Sequence, residues 1–478
     1  MVFSSLLFLF IFLPVVLAGN LLLPLRWRNL FLLAASLVFY AWGETLYVVV
    51  MLVSIGLNYA FGLLISRSQS LHARRWTIAL AVTANLSLLG FFKYANFMVD
   101  SLALLFQSIS LSPPHLAAIH LPIGISFFTF QGISYLVDVY RNDVPAQESL
   151  LDLGLYISLF PQLIAGPIIR YHDVARELRD RRITAADFSY GIGRFIQGLG
   201  KKVLIANVMA GVVDRIFALP LERLTVPLAW LGVIGYALQI YYDFSGYSDM
   251  AIGLGRMFGF HYLENFDHPY IAGSVREFWR RWHISLSNWF RDYLYIPLGG
   301  NKKGRIRTYA NLFTVFLLCG LWHGADWHFV IWGALHGVFM VFERIGLGRI
   351  LKRLWAPLRH LYLLLFLSFS WVIFRADSMA AAIHYLTALI GRNSPGLSLP
   401  LAYLLNPEVF LAGLAGILFA VPWPLKGLAA LWRGEKGNLP GPEGMWRLAM
   451  IAGHGTIFLI ALLDLSVNAY NPFIYFRF

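Results

Sequence analysis

Two histidines in this sequence sit where an ionisable side chain is costly. His323 lies in Leu321-Trp322-His323-Gly324-Ala325-Asp326-Trp327, between two apolar runs, and His283 lies in the basic, aromatic stretch from Val275 to Tyr293. An imidazole with an unperturbed pKa of about 6.5 takes a proton at neutral pH and returns it, so the chemistry on offer is general base catalysis. For His323 the competing reading is plain helix packing, but an ionisable group between apolar runs of membrane length is a functional candidate by default. Gly324 permits close backbone approach. Trp322 and Trp327 are expected to wall the imidazole, and Asp326 is near enough in sequence to orient it.

For His283 the bland alternative is an interfacial belt, in which Trp sits at the headgroups and Arg snorkels. That accounts for the arginines around it but does not ask for a histidine, so a catalytic or substrate-positioning role is expected. His336 either shares a helix face with His323 or packs its helix, whereas His328, His261, His268 and His172 are expected to be structural. His323 and His328 are five apart, with no His-Glu-x-x-His pattern and no Cys pair, so no metal is expected. Walker, GxGxxG and GxSxG signatures are missing too, which removes support for nucleotide hydrolysis and for a serine hydrolase. Gly299-Gly300-Asn301-Lys302-Lys303-Gly304 is a weak phosphate cradle and an adequate cytoplasmic turn.

The elements that carry these residues belong to a membrane. With 58% hydrophobic, 16% aromatic and 13% charged residues over 478 positions, and a mean hydropathy of +0.64, the chain is all-α and polytopic. Apolar runs recur without a soluble interlude, so 1–478 reads as a single membrane-embedded domain. The lone Cys319 excludes an intramolecular disulfide, and its place beside His323 suits packing better than nucleophilic attack. The net charge of +13 falls in the gaps between apolar runs, where it sets orientation or meets anionic lipid.

Ser4 to Pro24 is apolar with no Lys or Arg before it, and Arg26 and Arg28 follow at once. A cleaved signal peptide carries its positive charge first, so a retained first helix with an outer N-terminus is predicted. Leu151 to Ile169 is apolar as well, yet Phe160-Pro161-Gln162-Leu163-Ile164-Ala165-Gly166-Pro167 breaks a helix twice, which predicts a re-entrant segment shielded by protein. Phe188 to Lys202 reads as an interfacial lead-in to a span over Val203 to Leu219, and Val226 to about Phe244 as a span running into Asp243 and Asp249. Leu312 to Leu321 and Phe329 to Val341 are short for a hydrocarbon core that takes about 20 helical residues. A recessed turn follows, with His323 at the floor of an outward-facing cavity. Met379 to Ile390 is predicted as an amphipathic outer helix, and Lys426 to Arg447 as a cytoplasmic connection. About twelve crossings result.

At these residues the chain resembles the membrane-bound O-acyltransferase family, in its bacterial, alginate O-acetyltransferase-like branch. The resemblance covers nearly the whole chain and rests on Phe92-Lys93-Tyr94-Ala95-Asn96-Phe97, Phe160-Pro161-Gln162-Leu163, Asp243-Phe244-Ser245-Gly246-Tyr247-Ser248-Asp249, Phe278-Trp279-Arg280-Arg281-Trp282-His283, Leu321-Trp322-His323-Gly324, Trp371-Val372-Ile373-Phe374-Arg375-Ala376 and Asn471-Pro472-Phe473. It implies a ring of about eleven to twelve transmembrane helices, with re-entrant and interfacial helices, around a thinned central site in the bacterial inner membrane. It implies His323 as the catalytic histidine and His283 as the second conserved polar position. It also implies an acyl thioester donor, with acetyl-CoA favoured and no permanently bound cofactor, a periplasmic acetyltransferase partner and a polysaccharide acceptor. Around the histidines, Trp322, Asn288, Trp282, Arg281 and Asp243 are the expected substrate-binding residues. An oxyanion stabiliser is needed, for which His283 and Asn288 are candidates. Competing classes are a transporter in which Asp243, Asp249 and the histidines relay a solute, and a scaffold for a polysaccharide synthase.

Overall fold

The computed structural model describes residues 1–164, 166–392, 400–422, 443–468 and 470–474, with the side chains of Leu221 and 443–447 left out. Among the described residues every regular element is helical. Six of the described helices are long and apolar enough to cross a membrane: Val48–Arg67, Leu71–Ser108, Ala185–Phe217, Trp327–Arg353, Ala356–Arg375 and Leu448–Val467. Phe8–Leu22, Met379–Leu389 and Pro407–Phe419 are shorter and apolar. The chain divides into two compact units, one of residues 1–192, 251–263 and 289–294, the other of 193–250, 264–288 and 295–478.

In the first unit, lipid-length helices are fastened by polar side chains, which matter where apolar surface gives no preference between a helix and lipid. Asn58 and Asn85 exchange amide hydrogen bonds at 3.1 and 3.2 Å between Val48–Arg67 and Leu71–Ser108. The predicted double break is present: a helix over Leu150–Ser158 stops at the extended Leu159, and a single turn, Phe160–Leu163, follows. Pro161 fits the start of that turn, where a missing N–H costs nothing. The freed Phe160 N–H donates to Ser36 Oγ at 3.2 Å. On the polar side of this unit His172 sits 2.7 Å from Asp138 and 3.3 Å from Asp173.

Two sequence boundaries move. The lead-in predicted over Phe188 to Lys202 and the span after it form one helix, Ala185–Phe217, because its charges are neutralised. Lys201 pairs with Asp249 at 2.6 Å, Lys202 with Asp243 at 2.6 Å, and Arg194 with Asp249 at 2.8 Å. A π-type turn at Lys201–Asn207 is the kind of local widening that accompanies such functional or crowded positions. The run predicted to stop at Val341 likewise continues to Arg353, so it is not short. Glu343 does not end it, since its carboxylate accepts the N–H groups of Val275 at 2.7 Å and Arg276 at 3.0 Å. Met379–Leu389 buries Ala382, Tyr385, Ala388 and Leu389 along one face, but its exposed side carries Ala380, Ala381 and Ile383, so it is an apolar helix rather than the amphipathic one predicted. Most of the predicted connection from Lys426 to Arg447 lies outside the described residues.

Candidate active site

The helices Arg305–His323 and Trp327–Phe342 approach backbone to backbone. A Cβ on Gly320 would lie 2.9 Å from Gly333 Cα, and one on Gly333 2.8 Å from Gly320 Cα, so no larger residue fits at that contact. Both helices therefore turn over within Gly324–Asp326. Gly324 is extended, a conformation open to any residue, but a Cβ there would enter the Phe329 ring. Asp326 caps the second helix, accepting from His328 N at 3.2 Å and lying 2.8 Å from His328 Nδ1. The carboxylate expected to orient His323 is thus bound to His328.

His323 ends the first helix and is 6% exposed. Its ring stands edge-to-face with Trp322, Trp332 and Phe374 at centroid distances of 4.9, 5.1 and 5.3 Å. Trp322 is a wall, as expected. Trp327 is not: it is 53% exposed, and Trp332, one and a half turns on and facing inward, replaces it. His323 opens on a cleft lined otherwise by Ile240, Phe244, Trp282, Trp332, Trp371, Phe374 and Ile474. Such a lining offers an apolar surface beside the imidazole.

His283 is built differently. It links the helix Val275–Arg281 to the helix Ile284–Phe290 with φ +46, a left-handed backbone that a non-glycine residue adopts only when its surroundings impose it. Asn265 imposes it here. Its carbonyl accepts the N–H of Ile284 at 3.0 Å, and its Oδ1 accepts Ser285 N at 3.1 Å and Ser285 Oγ at 2.8 Å. Asn265 Nδ2 donates to Ser248 Oγ at 3.0 Å, which fixes the amide's orientation. His283 Nδ1 lies 3.2 Å from the same Oδ1, so the proton is on Nδ1 and Nε2 carries a lone pair. Nε2 is buried without a hydrogen-bond partner among the described residues. Burial pushes the imidazole down to about 3, keeping it neutral. A neutral ring in this tautomer accepts a proton at Nε2 and donates none there, so it does not suit an oxyanion. His283 is outside the cleft lining; its ring packs on Phe244 at 4.6 Å and lies 6.0 Å from Trp322.

Trp282 reaches the cleft directly. Asp243 acts at one remove: paired with Lys202, it accepts the N–H of Ile474, a cleft residue, at 2.8 Å. Arg281 is bonded to Asp267 at 2.9 Å and Glu277 at 3.2 Å. Asn288 is half-buried on its helix and does not line the cleft. His336 packs its helix, accepting Trp279 Nε1–H at Nδ1 over 3.0 Å and meeting Ser370 Oγ at 2.8 Å. Sequence reasoning missed Asn265, Trp332 and Ile474. Phe244, Trp371 and Phe374 were in recognised motifs, and the i, i+3 spacing of the last two was a signal that both face one side.

A family model for MBOAT, the membrane-bound O-acyltransferase family, matches residues 124–381, which contain both histidines and Asn265. The chain belongs to the membrane-bound O-acyltransferase family. Along its full length this family member is 44% identical to the probable alginate O-acetylase of Pseudomonas putida, with all of both chains covered. It is 37% identical to the peptidoglycan O-acetyltransferase of Helicobacter pylori, over 83% of this chain and 81% of that one. To the teichoic acid D-alanyltransferase of Bacillus subtilis it is 32% identical over 48% of this chain and 60% of the other. It is an O-acyltransferase and a multi-pass membrane protein.

Proposed function

We propose that this O-acyltransferase moves an acetyl group from a cytoplasmic thioester, acetyl-CoA, across the bacterial inner membrane for O-acetylation of an exopolysaccharide such as alginate. The observation that carries the reading is His323 in the lining of an apolar, aromatic cleft. The full-length similarity to a probable alginate O-acetylase supports the substrate class. His323 takes the proton from an acceptor hydroxyl as the hydroxyl oxygen attacks the thioester carbonyl. A C–O bond forms, the C–S bond breaks, and the proton passes from His323 to the leaving thiolate. The hydroxyl belongs to the sugar or to a periplasmic partner protein that relays the acyl group. His283 serves this centre as a neutral, rigidly held imidazole packed behind Phe244 and Trp322.

Purified protein in proteoliposomes, supplied with radiolabelled acetyl-CoA and acceptor, tests the reading. Label should reach the acceptor with wild type and not with His323→Ala or His323→Gln, both checked for folding. Undiminished transfer by folded variants would remove His323 from the chemistry.

A further inference from the structure

Residues 470–474 have no extended helix of their own, yet each is tied to the second unit. Tyr470 Oη donates to Asp214 Oδ2 at 2.5 Å, on a carboxylate also held by Arg375 at 2.6 Å. Asn207 Nδ2 donates to Asn471 Oδ1 at 3.2 Å. Lys202 Nζ donates to the carbonyl of Pro472. Phe473 stacks near Tyr247 at 4.8 Å, with Lys202 Nζ 5.8 Å above its ring. Ile474 N–H donates to Asp243 Oδ2 at 2.8 Å.

At the centre is the Lys202–Asp243 ion pair, 2.6 Å long, with each side chain 3% exposed. A buried pair is a poor source of net stability, because desolvating both charges offsets their attraction unless further hydrogen bonds use their remaining capacity. Here those bonds go to the tail backbone: the ammonium to Pro472 O and the carboxylate to Ile474 N. The pair is a two-point clamp, and what it holds in place is Ile474, a wall of the cleft at His323. The other lining residues lie on helices or, for Trp282, cap one.

We infer that Ile474, held by the Lys202–Asp243 clamp, is a specificity-determining residue that limits the cleft to a short acyl group. The inference rests on the reading of His323 and its cleft as the acyl-transfer site. Ile474→Ala removes three carbons from the wall, and each methylene admitted to or refused by an apolar pocket is worth roughly 10–200-fold in discrimination.

The test compares butyryl-CoA with acetyl-CoA as donors for protein in proteoliposomes, alongside competitive binding of the unreactive thioethers S-butyl-CoA and S-ethyl-CoA. Ile474→Ala should raise the butyryl-to-acetyl ratio of kcat/KM at least tenfold and tighten S-butyl-CoA relative to S-ethyl-CoA. Ile474→Phe should move both ratios the other way. The paired Lys202→Met, Asp243→Leu exchange loosens the clamp without stranding a buried charge, and should move them as Ile474→Ala does. If both ratios stay within twofold of wild type in folded Ile474→Ala and Ile474→Phe, while His323→Ala is inactive, the inference is wrong and the acyltransferase site stands. If wild type neither uses the acyl-CoAs nor binds the thioethers, the donor reading fails and the inference falls with it.

Discussion

The two histidines are held by opposite means. His323 is gripped by ring edges at the end of a helix whose position is set by two glycines, and it opens on a cleft. His283 is pinned in a left-handed backbone by an amide and two serines, and its Nε2 is sealed. Packing leaves a side chain accessible on one side; a hydrogen-bond network fixes tautomer and orientation together. The structure holds both kinds of imidazole: one that faces a cleft and one whose tautomer is fixed by a buried amide.

The first way to break that contrast is His323→Ala, which should cut acyl transfer by about 10²–10⁴-fold, the range for a lost general base, with the melting temperature little changed. Gly320→Val should disrupt the helix contact from which His323 hangs, costing about 1–3 kcal/mol in denaturation and most of the activity. Asn265→Leu strands Ser285 and His283 Nδ1, a loss of about 1–3 kcal/mol. Asn265→Asp keeps the acceptor but adds a negative charge, which favours imidazolium. In that variant the acid limb of the pH–rate profile should move to higher pH, and an unmoved limb would show that His283 need not stay neutral.

A third histidine sharpens the comparison with the smallest effect. His172 is raised to about 9 by its hydrogen bonds to Asp138 and then Asp173. A group that binds its proton more tightly when folded stabilises fully below its ordinary value of about 6.5, and that contribution is lost as pH rises through about 9. The melting temperature should therefore fall between pH 7 and 10, and less so in Asp138→Asn. With the imidazole 35% exposed, solvent screening keeps the effect to about 1 kcal/mol or less.

Legibility followed the range of the cause. His323 was readable because a single residue violated an apolar run, and the break at Phe160–Leu163 because proline and glycine act locally. The continuous helix Ala185–Phe217 was not, since Lys201 and Lys202 look like a membrane edge until Asp243 and Asp249, some forty residues on, neutralise them. Asn265 was hidden for another reason. An asparagine in a polar connection has no periodicity to betray it, and only the fold reveals that its amide addresses Ser248, Ser285 and His283 at once. Asp326 shows the reverse error, in which nearness in sequence suggested His323 while helix capping delivered the carboxylate to His328.

The fastening of residues 470–474 also orders events in time. They leave the ribosome after every helix they tie to, so a growing chain carries His323, Trp332 and Phe374 before it owns Ile474. Until then Lys202 and Asp243 have each other but not the backbone that completes them, and the cleft stands open on one side. A chain interrupted before Tyr470 would carry the helices that line the cleft without its Ile474 wall.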